Sequence, residues 1–309
     1  MKIIFFGTPD FAVASLQKIM EAGFEVAAVV TAPDKQAGRG LKLQQSAVKQ
    51  FAVEHNLPVL QPEKLKNPDF IEELRAYNVD LFVIIAFRML PEAVWNMPPL
   101  GSINLHGSLL PQYRGAAPIN WAVINGEKET GVTTFFLKHQ IDTGSIILRD
   151  KIEIAETDTA GTVHDKLMVV GAELMVRTLT AIESNSYTLE EQDLSVETKH
   201  APKIFKDDCL IDFSKPTEAV YNFIRGLSPY PTAWTKLGAQ TLKVFWADKE
   251  IDESTAISGT LLSDNKKYIK VACADGWLSL KDIQLEGKKR MGVEEFLRGF
   301  DISTITKLG

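Results

Sequence analysis

Asn104 and His106 stand two residues apart at the carboxyl end of a predicted strand, Ser102–Leu105. Side chains alternate between the two faces of a strand, so both project from the same face. Gly107 follows and allows the backbone to turn closely against a ligand. A carboxylate, Asp142, comes just after another predicted strand. We therefore expect Asn104, His106 and Asp142 to converge at one site.

These three residue types suit acyl transfer without a covalent intermediate. An amine that attacks a carbonyl carbon creates an oxyanion, to which Asn104 and a protonated His106 can donate hydrogen bonds. Asp142 can orient His106 and assist the transfer of a proton from the amine. Each residue also has an ordinary structural use, His106 as a satisfied strand residue and Asp142 as a turn former. The residues alone predict acyl or one-carbon transfer and leave the substrate open.

The elements before residue 185 alternate between strand and helix. Apolar runs predict strands at Ile3–Phe6, Val26–Val30, near Val59, and at Leu81–Ala86, Ser102–Leu105 and Gly131–Leu137. Helical spacing predicts helices at 10–22, Ser46–His55, Asp69–Tyr77, Ile119–Asn125 and Thr159–Ser184. This alternation is typical of a doubly wound α/β fold with a mostly parallel sheet. Ligands of such sheets bind beyond the carboxyl ends of strands, and the Asn104–His106 pair is expected there.

The pattern changes after the last of these helices. Residues 186–206 are polar, and beyond them a short helix, Thr217–Arg225, precedes predicted strands at Lys243–Trp246, Gly259–Leu262, Ile269–Ala272 and Leu278–Ile283. Short strands separated by turn residues favour a small β-barrel. We predict a catalytic domain over 1–189, a linker over 190–206, and a C-terminal β-barrel of the OB type over 207–309.

Composition narrows the class of protein. The 309 residues are 45% hydrophobic and 24% charged, which indicates a globular chain. Two distant cysteines, Cys209 and Cys273, and five scattered histidines offer no metal-ligand spacing, so we predict no metal. The sequence shows no signal peptide and no apolar run of about 20 residues, which predicts a soluble cytoplasmic protein, expected to be a monomer.

The charge distribution leaves a nucleic-acid partner open. The net charge of −6 argues against one, but the part from Lys203 onward has 16 basic and 15 acidic residues and is nearly neutral. Binding responds to local potential rather than to net charge. An ordinary solvated surface explains the same numbers equally well.

Five segments in order resemble the formyltetrahydrofolate-dependent formyltransferases. Two carry the family pattern, residues 104–119 with Asn-Leu-His-Gly-Ser-Leu-Leu-Pro at their start, and Ile141–Gly144. Phe6–Phe11 and Ala32–Gly40 are more similar to those members that act on methionyl-tRNA, and Leu227–Trp234 extends the resemblance into the second domain. The resemblance runs nearly from end to end, and it implies the formyltransferase fold followed by a small β-barrel.

The resemblance implies a reaction and a co-substrate. The formyl group of 10-formyltetrahydrofolate would pass to the α-amine of methionine on initiator tRNA, with Asn104, His106 and Asp142 as catalytic residues. Folate contacts are implied for Ser108, Leu109, Leu110 and Pro111, because a tight apolar loop can present backbone groups to a pterin ring. Phe87-Arg88 departs from the family's common Tyr-Gly. Arg88 is equally well explained as a pterin-side residue or as a surface residue.

The loop 31–43 has the glycine-containing basic sequence expected to order on RNA, with Arg39 and Lys42 as contacts. It lacks the phosphate-loop pattern, and Gly7-Thr8-Pro9 lacks the dinucleotide pattern. Lys203 and Lys206 are further candidates for tRNA phosphate contacts, and the second domain is expected to clamp the acceptor arm. Weaker candidates of the same kind are Lys243, Lys288, Lys289 and Arg290.

Alternative functions share parts of this pattern. Formyltransferases acting on a nucleotide-sugar amine or on glycinamide ribonucleotide would use the same three residues, as would a 10-formyltetrahydrofolate hydrolase acting on water. A hydrolase has little need for a basic loop and a second domain. A non-catalytic RNA- or folate-binding module has no need for an Asn–His–Asp convergence.

Overall fold

The structure is a computed structural model that describes residues 1–37, 42–251 and 256–309. Its strands are β1 Lys2–Gly7, β2 Glu25–Val30, β3 Lys35–Ala37, β4 Lys42–Gln44, β5 Val59–Leu60, β6 Leu81–Ile85, β7 Ser102–His106, β8 Arg114–Gly115, β9 Glu129–Phe136, β10 Ile146–Glu153, β11 His200–Ala201, β12 Ala233–Leu237, β13 Gln240–Ile251, β14 Leu261–Ser263, β15 Ile269–Ala272, β16 Gly276–Leu285 and β17 Met291–Gly292. Its helices are α1 Asp10–Glu21, α2 Ala47–Glu54, α3 Pro68–Ala76, α4 Glu92–Trp95, α5 Pro118–Ile124, α6 Ala160–Glu183, α7 Thr217–Gly226 and α8 Val293–Gly299.

The chain forms two compact units, and each is assembled from separate segments. The first unit comprises Met1–Gly115, Thr130–Ile152 and His164–His200, and the second comprises Ala116–Glu129, Glu153–Val163 and Ala201–Gly309. The division into 1–189, 190–206 and 207–309 was drawn along the sequence, and it stays a prediction.

A seven-stranded sheet in the order β10-β9-β7-β6-β1-β2-β5 organises the first unit. The five strands from β7 to β5 pair in parallel, as the alternation of strands and helices predicts. Ile3, Ile4, Phe5 and Phe6 of β1 have no exposed surface, since helices cover both faces of a sheet of this class. The α/β fold class predicted from the sequence is confirmed.

The route by which Asp142 reaches His106 differs from the expected one. The prediction had Asn104, His106 and Asp142 at the tops of neighbouring strands, but β9 pairs with β7 in the antiparallel sense, with Ile103 opposite Phe136 and His106 opposite Thr133. Strand β9 therefore ends beside the start of β7, where the Leu137 N–H donates to the Ser102 carbonyl at 2.8 Å. The segment after β9 must return along the sheet to bring Asp142 to His106.

Strand β10 and the hairpin β3–β4 were not predicted from the sequence. Helix α2 begins where expected, because the Ser46 hydroxyl accepts the Lys49 N–H at 3.1 Å and so caps its first turn. The strand at Ser102–His106 extends one residue further than predicted, which places His106 at the very end of β7.

An antiparallel sheet in the order β12-β13-β16-β15-β14, with β17 paired to β16, forms the second unit. Residues of α7 and α8 join the inner faces of these strands in one apolar core, which includes Val220, Ile224, Val244, Leu280 and Phe296. The predicted second domain of short strands is confirmed and forms an antiparallel sheet, whereas closure into a barrel stays a prediction. Among the described residues, we find no helix that is long and apolar enough to cross a membrane.

Candidate active site

Strand β7 presents the first two candidate side chains. His106 is 6% exposed, and Asn104 is half-buried two residues earlier on the same face. Within the described part of the chain, the Asn104 amide has no hydrogen-bond partner. A half-buried amide that no protein group engages is available to donate to a substrate oxygen.

The backbone carbonyl of Tyr113 orients the His106 ring. Nε2 of His106 lies 2.9 Å from the Tyr113 carbonyl oxygen, and Nδ1 lies 3.8 Å from Oδ2 of Asp142. Because a carbonyl only accepts, Nε2 carries a hydrogen, and Nδ1 is the nitrogen that can gain or lose a proton. A separation of 3.8 Å is an electrostatic contact rather than a hydrogen bond. Sequence reasoning assigned the orienting role to Asp142 and missed Tyr113, although Tyr113 lies within the conspicuous segment 104–119.

The carboxylate of Asp142 is held by backbone. Its Oδ2 accepts the Gly115 N–H at 3.0 Å, and this is the same oxygen that faces His106. The side chain of Asp142 is 11% exposed, and the residue has a left-handed backbone with φ +56°. The predicted His106–Asp142 juxtaposition is therefore present, with Gly115 as an unpredicted third member.

Gly144 makes the turn around Asp142 possible. A Cβ at this position would lie 1.6 Å from the Phe136 carbonyl oxygen, far inside van der Waals contact. No residue with a side chain fits there unless the turn moves. Glycine is therefore required at position 144, because the turn that follows Asp142 approaches the end of β9 closely.

The predicted folate loop, residues 108–111, is braced against β9. The Thr133 hydroxyl donates to the Ser108 carbonyl at 2.7 Å and accepts the Leu110 N–H at 3.1 Å. The hydroxyl of Ser108 is engaged by the Gln112 carbonyl at 2.6 Å. Leu110 is 2% exposed and packs with Phe135 and Ile146, and its N–H is engaged by Thr133, so its backbone carbonyl is the group that remains available to a ligand. Leu109 and Pro111 are half-buried.

Arg88, at the departure from the family pattern, lies at the surface and bridges two loops. Its guanidinium donates to the carbonyl of Glu63 at 2.8 Å and to the carbonyl of Pro62. It also lies over the Phe87 ring, 5.7 Å from the centroid. Both terminal nitrogens of the guanidinium thus donate to backbone carbonyls. These contacts favour the interpretation of Arg88 as a surface residue over that of a pterin-side residue.

The predicted tRNA contacts fall into two groups. Arg39 lies outside the described residues, as does the side chain of Lys42. Lys203 and Lys206 are exposed, and the Lys203 ammonium sits 5.2 Å from the Phe205 ring centroid. Arg290, a weaker candidate, is engaged by Oδ2 of Asp282 at 2.5 Å and stacks 4.1 Å above the Phe245 ring, which gives it a structural use.

Metal ligation finds no support in the described part of the chain. No group of three or more His, Cys, Asp or Glu side chains there is arranged to hold a metal ion.

Comparison with known proteins identifies the family of this chain. Residues 1–179 match the formyl transferase family, and residues 203–301 match the C-terminal domain of formyl transferases. A methionyl-tRNA formyltransferase of Bacteroides thetaiotaomicron is 53% identical, over 98% of this chain and 97% of the relative. One from Parabacteroides distasonis is 54% identical, over 97% and 96%, and one from Flavobacterium johnsoniae is 46% identical, over 100% and 99%. The chain therefore belongs to the formyl transferase family.

Solved structures show the same fold. The sugar 3N-formyl transferase WlaRD, crystallised with dTDP and 5-N-formyl-THF, aligns with a TM-score of 0.65 and 22% identity over 94% of this chain and 99% of that one. HypX from Aquifex aeolicus, in complex with tetrahydrofolic acid, aligns with a TM-score of 0.65 and 17% identity over 97% of this chain and 48% of that one. At these identities the likeness concerns the fold alone.

Proposed function

We propose that this protein transfers the formyl group of 10-formyltetrahydrofolate to the α-amine of methionine carried on initiator tRNA. The observation that carries the chemistry is the open Asn104 amide on the strand face of His106, whose Nδ1 faces the Asp142 carboxylate at 3.8 Å. The full-length similarity to methionyl-tRNA formyltransferases supports the choice of amine.

The amine nitrogen attacks the formyl carbon and forms a tetrahedral oxyanion. The Asn104 amide donates to that oxygen, and His106, protonated at Nδ1, supplies a second, charge-assisted donor. The amine loses a proton to Asp142, directly or through water, because this carboxylate lies beside the reacting groups and acts as a base. The bond between the formyl carbon and N10 of the folate then breaks, Asp142 passes the proton it has taken to N10, directly or through water, and tetrahydrofolate leaves.

Folate-complexed structures of the same fold support a folate as formyl donor. The loop 108–111 is the proposed contact, and the Thr133 hydroxyl holds it in place through the Ser108 carbonyl and the Leu110 N–H. Ser108, Leu109 and Pro111 would line it together with the backbone of Leu110. The 10-formyl isomer is proposed because N10 is attached to an aryl ring, which makes it a weaker base than N5 and therefore a better leaving group.

For the tRNA, we propose contacts from Arg39 and Lys42 in the catalytic region and from Lys203 and Lys206 near the second unit. Replacing Lys203 and Lys206 together by Ala is expected to raise KM for the tRNA about tenfold, with the KM for the folate unchanged. Exchange of Lys266 and Lys267, an exposed pair on the turn before β15, is the matched control. Equal effects of the two double variants would refute specific contacts at Lys203 and Lys206.

We further propose that the enzyme is a cytoplasmic monomer, since its proposed substrate is a cytoplasmic RNA and its site residues all come from one chain. Light scattering after size exclusion tests the monomer: a mass near 34.3 kDa is expected, and a mass near twice that would contradict it.

The decisive assay supplies the full chain with labelled 10-formyltetrahydrofolate and three acceptors: methionyl initiator tRNA, methionyl elongator tRNA, and a dTDP-linked amino sugar. Formylmethionine is expected on the initiator tRNA alone. His106→Ala should lower the rate by at least about 10²-fold, because one of the two oxyanion donors is lost. His55→Ala, an exposed histidine at the end of α2, should change nothing.

Other outcomes point to the alternatives. Formate release without formylated tRNA would replace the proposal by a hydrolase, and label on the sugar would replace it by a sugar formyltransferase.

A further inference from the structure

Residues 190–192, predicted from the sequence to begin a linker, run alongside the start of β10. The Ile146 N–H donates to the Glu190 carbonyl at 2.8 Å, and the Glu190 N–H donates back at 3.0 Å. This backbone pairing fixes the segment beside the turn that carries Asp142. Each of its three side chains then engages a different partner.

The first two side chains form contacts near the surface. Glu190 pairs with Arg149 through both carboxylate oxygens, and Glu191 accepts from the Ser145 hydroxyl at 2.5 Å and from the Lys138 ammonium at 2.6 Å. The Glu191 side chain is 68% exposed, so it contributes little that solvent does not screen.

Gln192 is different, because it is 8% exposed and its amide is fully used at the active-site turn. Its Nε2 donates to the carbonyl of Asp142 at 2.9 Å and to the carbonyl of Gly144 at 2.8 Å. Its Oε1 accepts from Arg114, at 3.1 Å from Nε and 2.6 Å from the terminal nitrogen. Arg114 Nε also lies 3.2 Å from the Asp142 carbonyl.

These contacts restrain a residue whose backbone is unfavourable by itself. Asp142 has φ +56°, a conformation that persists when the surroundings determine it. Its side chain faces Gly115 and His106, while its carbonyl faces Gln192 and Arg114. The two sets of contacts hold opposite ends of the same residue, so a shift at the carbonyl moves the carboxylate.

We propose that Gln192 is a positioning residue for formyl transfer, which sets the Asp142 carboxylate relative to His106 through the carbonyls of Asp142 and Gly144. The inference rests on the proposed function, since the catalytic step assigned to Asp142 belongs to it. The position requires an amide: it needs two donors toward the carbonyls and one acceptor toward Arg114. A glutamate keeps the acceptor but places a carboxylate against two carbonyl oxygens.

The test compares two isosteric exchanges on adjacent residues, Gln192→Glu and the control Glu191→Gln. Gln192→Glu is expected to lower kcat on the order of 10- to 100-fold, as misplacement of a reacting group by about 1 Å does. The KM values for 10-formyltetrahydrofolate and methionyl initiator tRNA should stay within about twofold. Glu191→Gln should leave kcat and both KM values unchanged.

The outcomes separate positioning from a general structural role. A kcat for Gln192→Glu within twofold of the parent, an equal fall in Glu191→Gln, or a rise in KM alone overturns the inference. If Gln192→Glu does not fold, Gln192→Ala replaces it, with the same expected split between kcat and KM. Failure of both to fold also overturns it, because Gln192 would then hold the whole unit rather than one turn. An inactive parent protein, by contrast, refutes the proposed function itself.

Discussion

Each of the two units buries a polar cluster, and the clusters differ in how many of their hydrogen-bonding groups are already used. In the first unit, Asn104 has no partner for its amide among the described residues, and Nδ1 of His106 has only a carboxylate 3.8 Å away. The polar groups that face the site therefore lack hydrogen-bond partners there, although Tyr113 holds His106 and Gly115 holds Asp142 from the opposite side.

The cluster of the second unit centres on Arg225, which is 2% exposed. Its Nε donates to Oδ1 of Asn222 at 2.7 Å, and a terminal nitrogen donates to the Asp158 carbonyl at 2.9 Å. The guanidinium also lies over the Tyr221 ring. Burial lowers the pKa of Arg225, because removal from water disfavours its charge.

Buried polar groups therefore serve different purposes in the two units. Arg225 donates from Nε and from one terminal nitrogen to buried acceptors of the second unit, so it stabilises the packing of α7. Among the described residues, no protein acceptor takes the amide hydrogens of Asn104, and Nδ1 of His106 makes no hydrogen bond. Unpaired buried donors of this kind are expected where a substrate supplies the acceptor. The first cluster should therefore be sensitive in catalysis, and the second in stability.

The largest effect is expected at Asn104. Asn104→Ala removes an oxyanion donor, so kcat should fall by roughly 10²–10³, while the free energy of unfolding changes by about 1 kcal/mol or less. Single-turnover rates and urea unfolding measure the two quantities. Asn96→Ala, an exposed asparagine at the end of α4, is the control and should leave both unchanged. A wild-type kcat in Asn104→Ala would remove the distinction between the clusters.

Gly144→Ala tests whether catalysis depends on the position of the Asp142 turn, because the substitution removes no polar side chain from the site. The new Cβ would lie 1.6 Å from the Phe136 carbonyl, so the Asp142 turn must move by about 1 Å or more. We expect kcat to fall about 10²-fold. In Gly299→Ala the Cβ meets nothing within 4 Å, and kcat should stay at the parent value. Full activity of Gly144→Ala would show that the turn tolerates displacement.

Arg225→Met tests whether the polar cluster of the second unit contributes to stability and not to catalysis. The acceptors on Asn222 and Asp158 lose their buried donor, which should lower the free energy of unfolding by about 2–3 kcal/mol. At a temperature where the variant is folded, kcat should match the parent. Urea unfolding followed by circular dichroism, with kcat measured at 15 and 25 °C, checks both. A stable variant with a low kcat would assign Arg225 to the first kind of cluster.

The smallest effect concerns Asp275, which caps α7 from the turn before β16. The backbone N–H and the hydroxyl of Thr217, at 2.7 and 2.8 Å from Oδ1, hold the pKa of Asp275 below its usual range. Because the folded pKa is lowered, the stabilisation is present above the unfolded pKa of about 3.9 and is lost as pH falls through the folded value. Asp275→Asn should thus unfold at a lower urea concentration than the parent at pH 7, and the difference should shrink as the pH falls below about 3.9. A constant difference at all pH values would contradict this.

Much of this fold was predictable because local patterns carry it. The buried runs at Ile3–Phe6 and Leu81–Ile85 have the uninterrupted apolar composition of central parallel strands, and the structure places both in the middle of the sheet. The placement of Asn104 and His106 on the same face was predicted from the alternation of side chains along a single strand. Strands β10 and β12 were missed, since charged residues interrupt the pattern of β10 and β12 follows a proline-rich turn.

The sequence by itself determined the order of elements, the residue types of the site and, through resemblance, the family. The tertiary structure decided that β9 runs antiparallel to β7, that the Tyr113 carbonyl accepts from Nε2 of His106 while Asp142 faces Nδ1, and that Gln192 reaches the Asp142 turn from a supposed linker. The Nε2 contact of His106 and the Gln192 contact each join a side chain to a backbone carbonyl, seven residues away in the chain for His106 and 50 residues away for Gln192. A carbonyl is chemically the same at every residue, so no residue type marks in advance which carbonyl a distant side chain will meet.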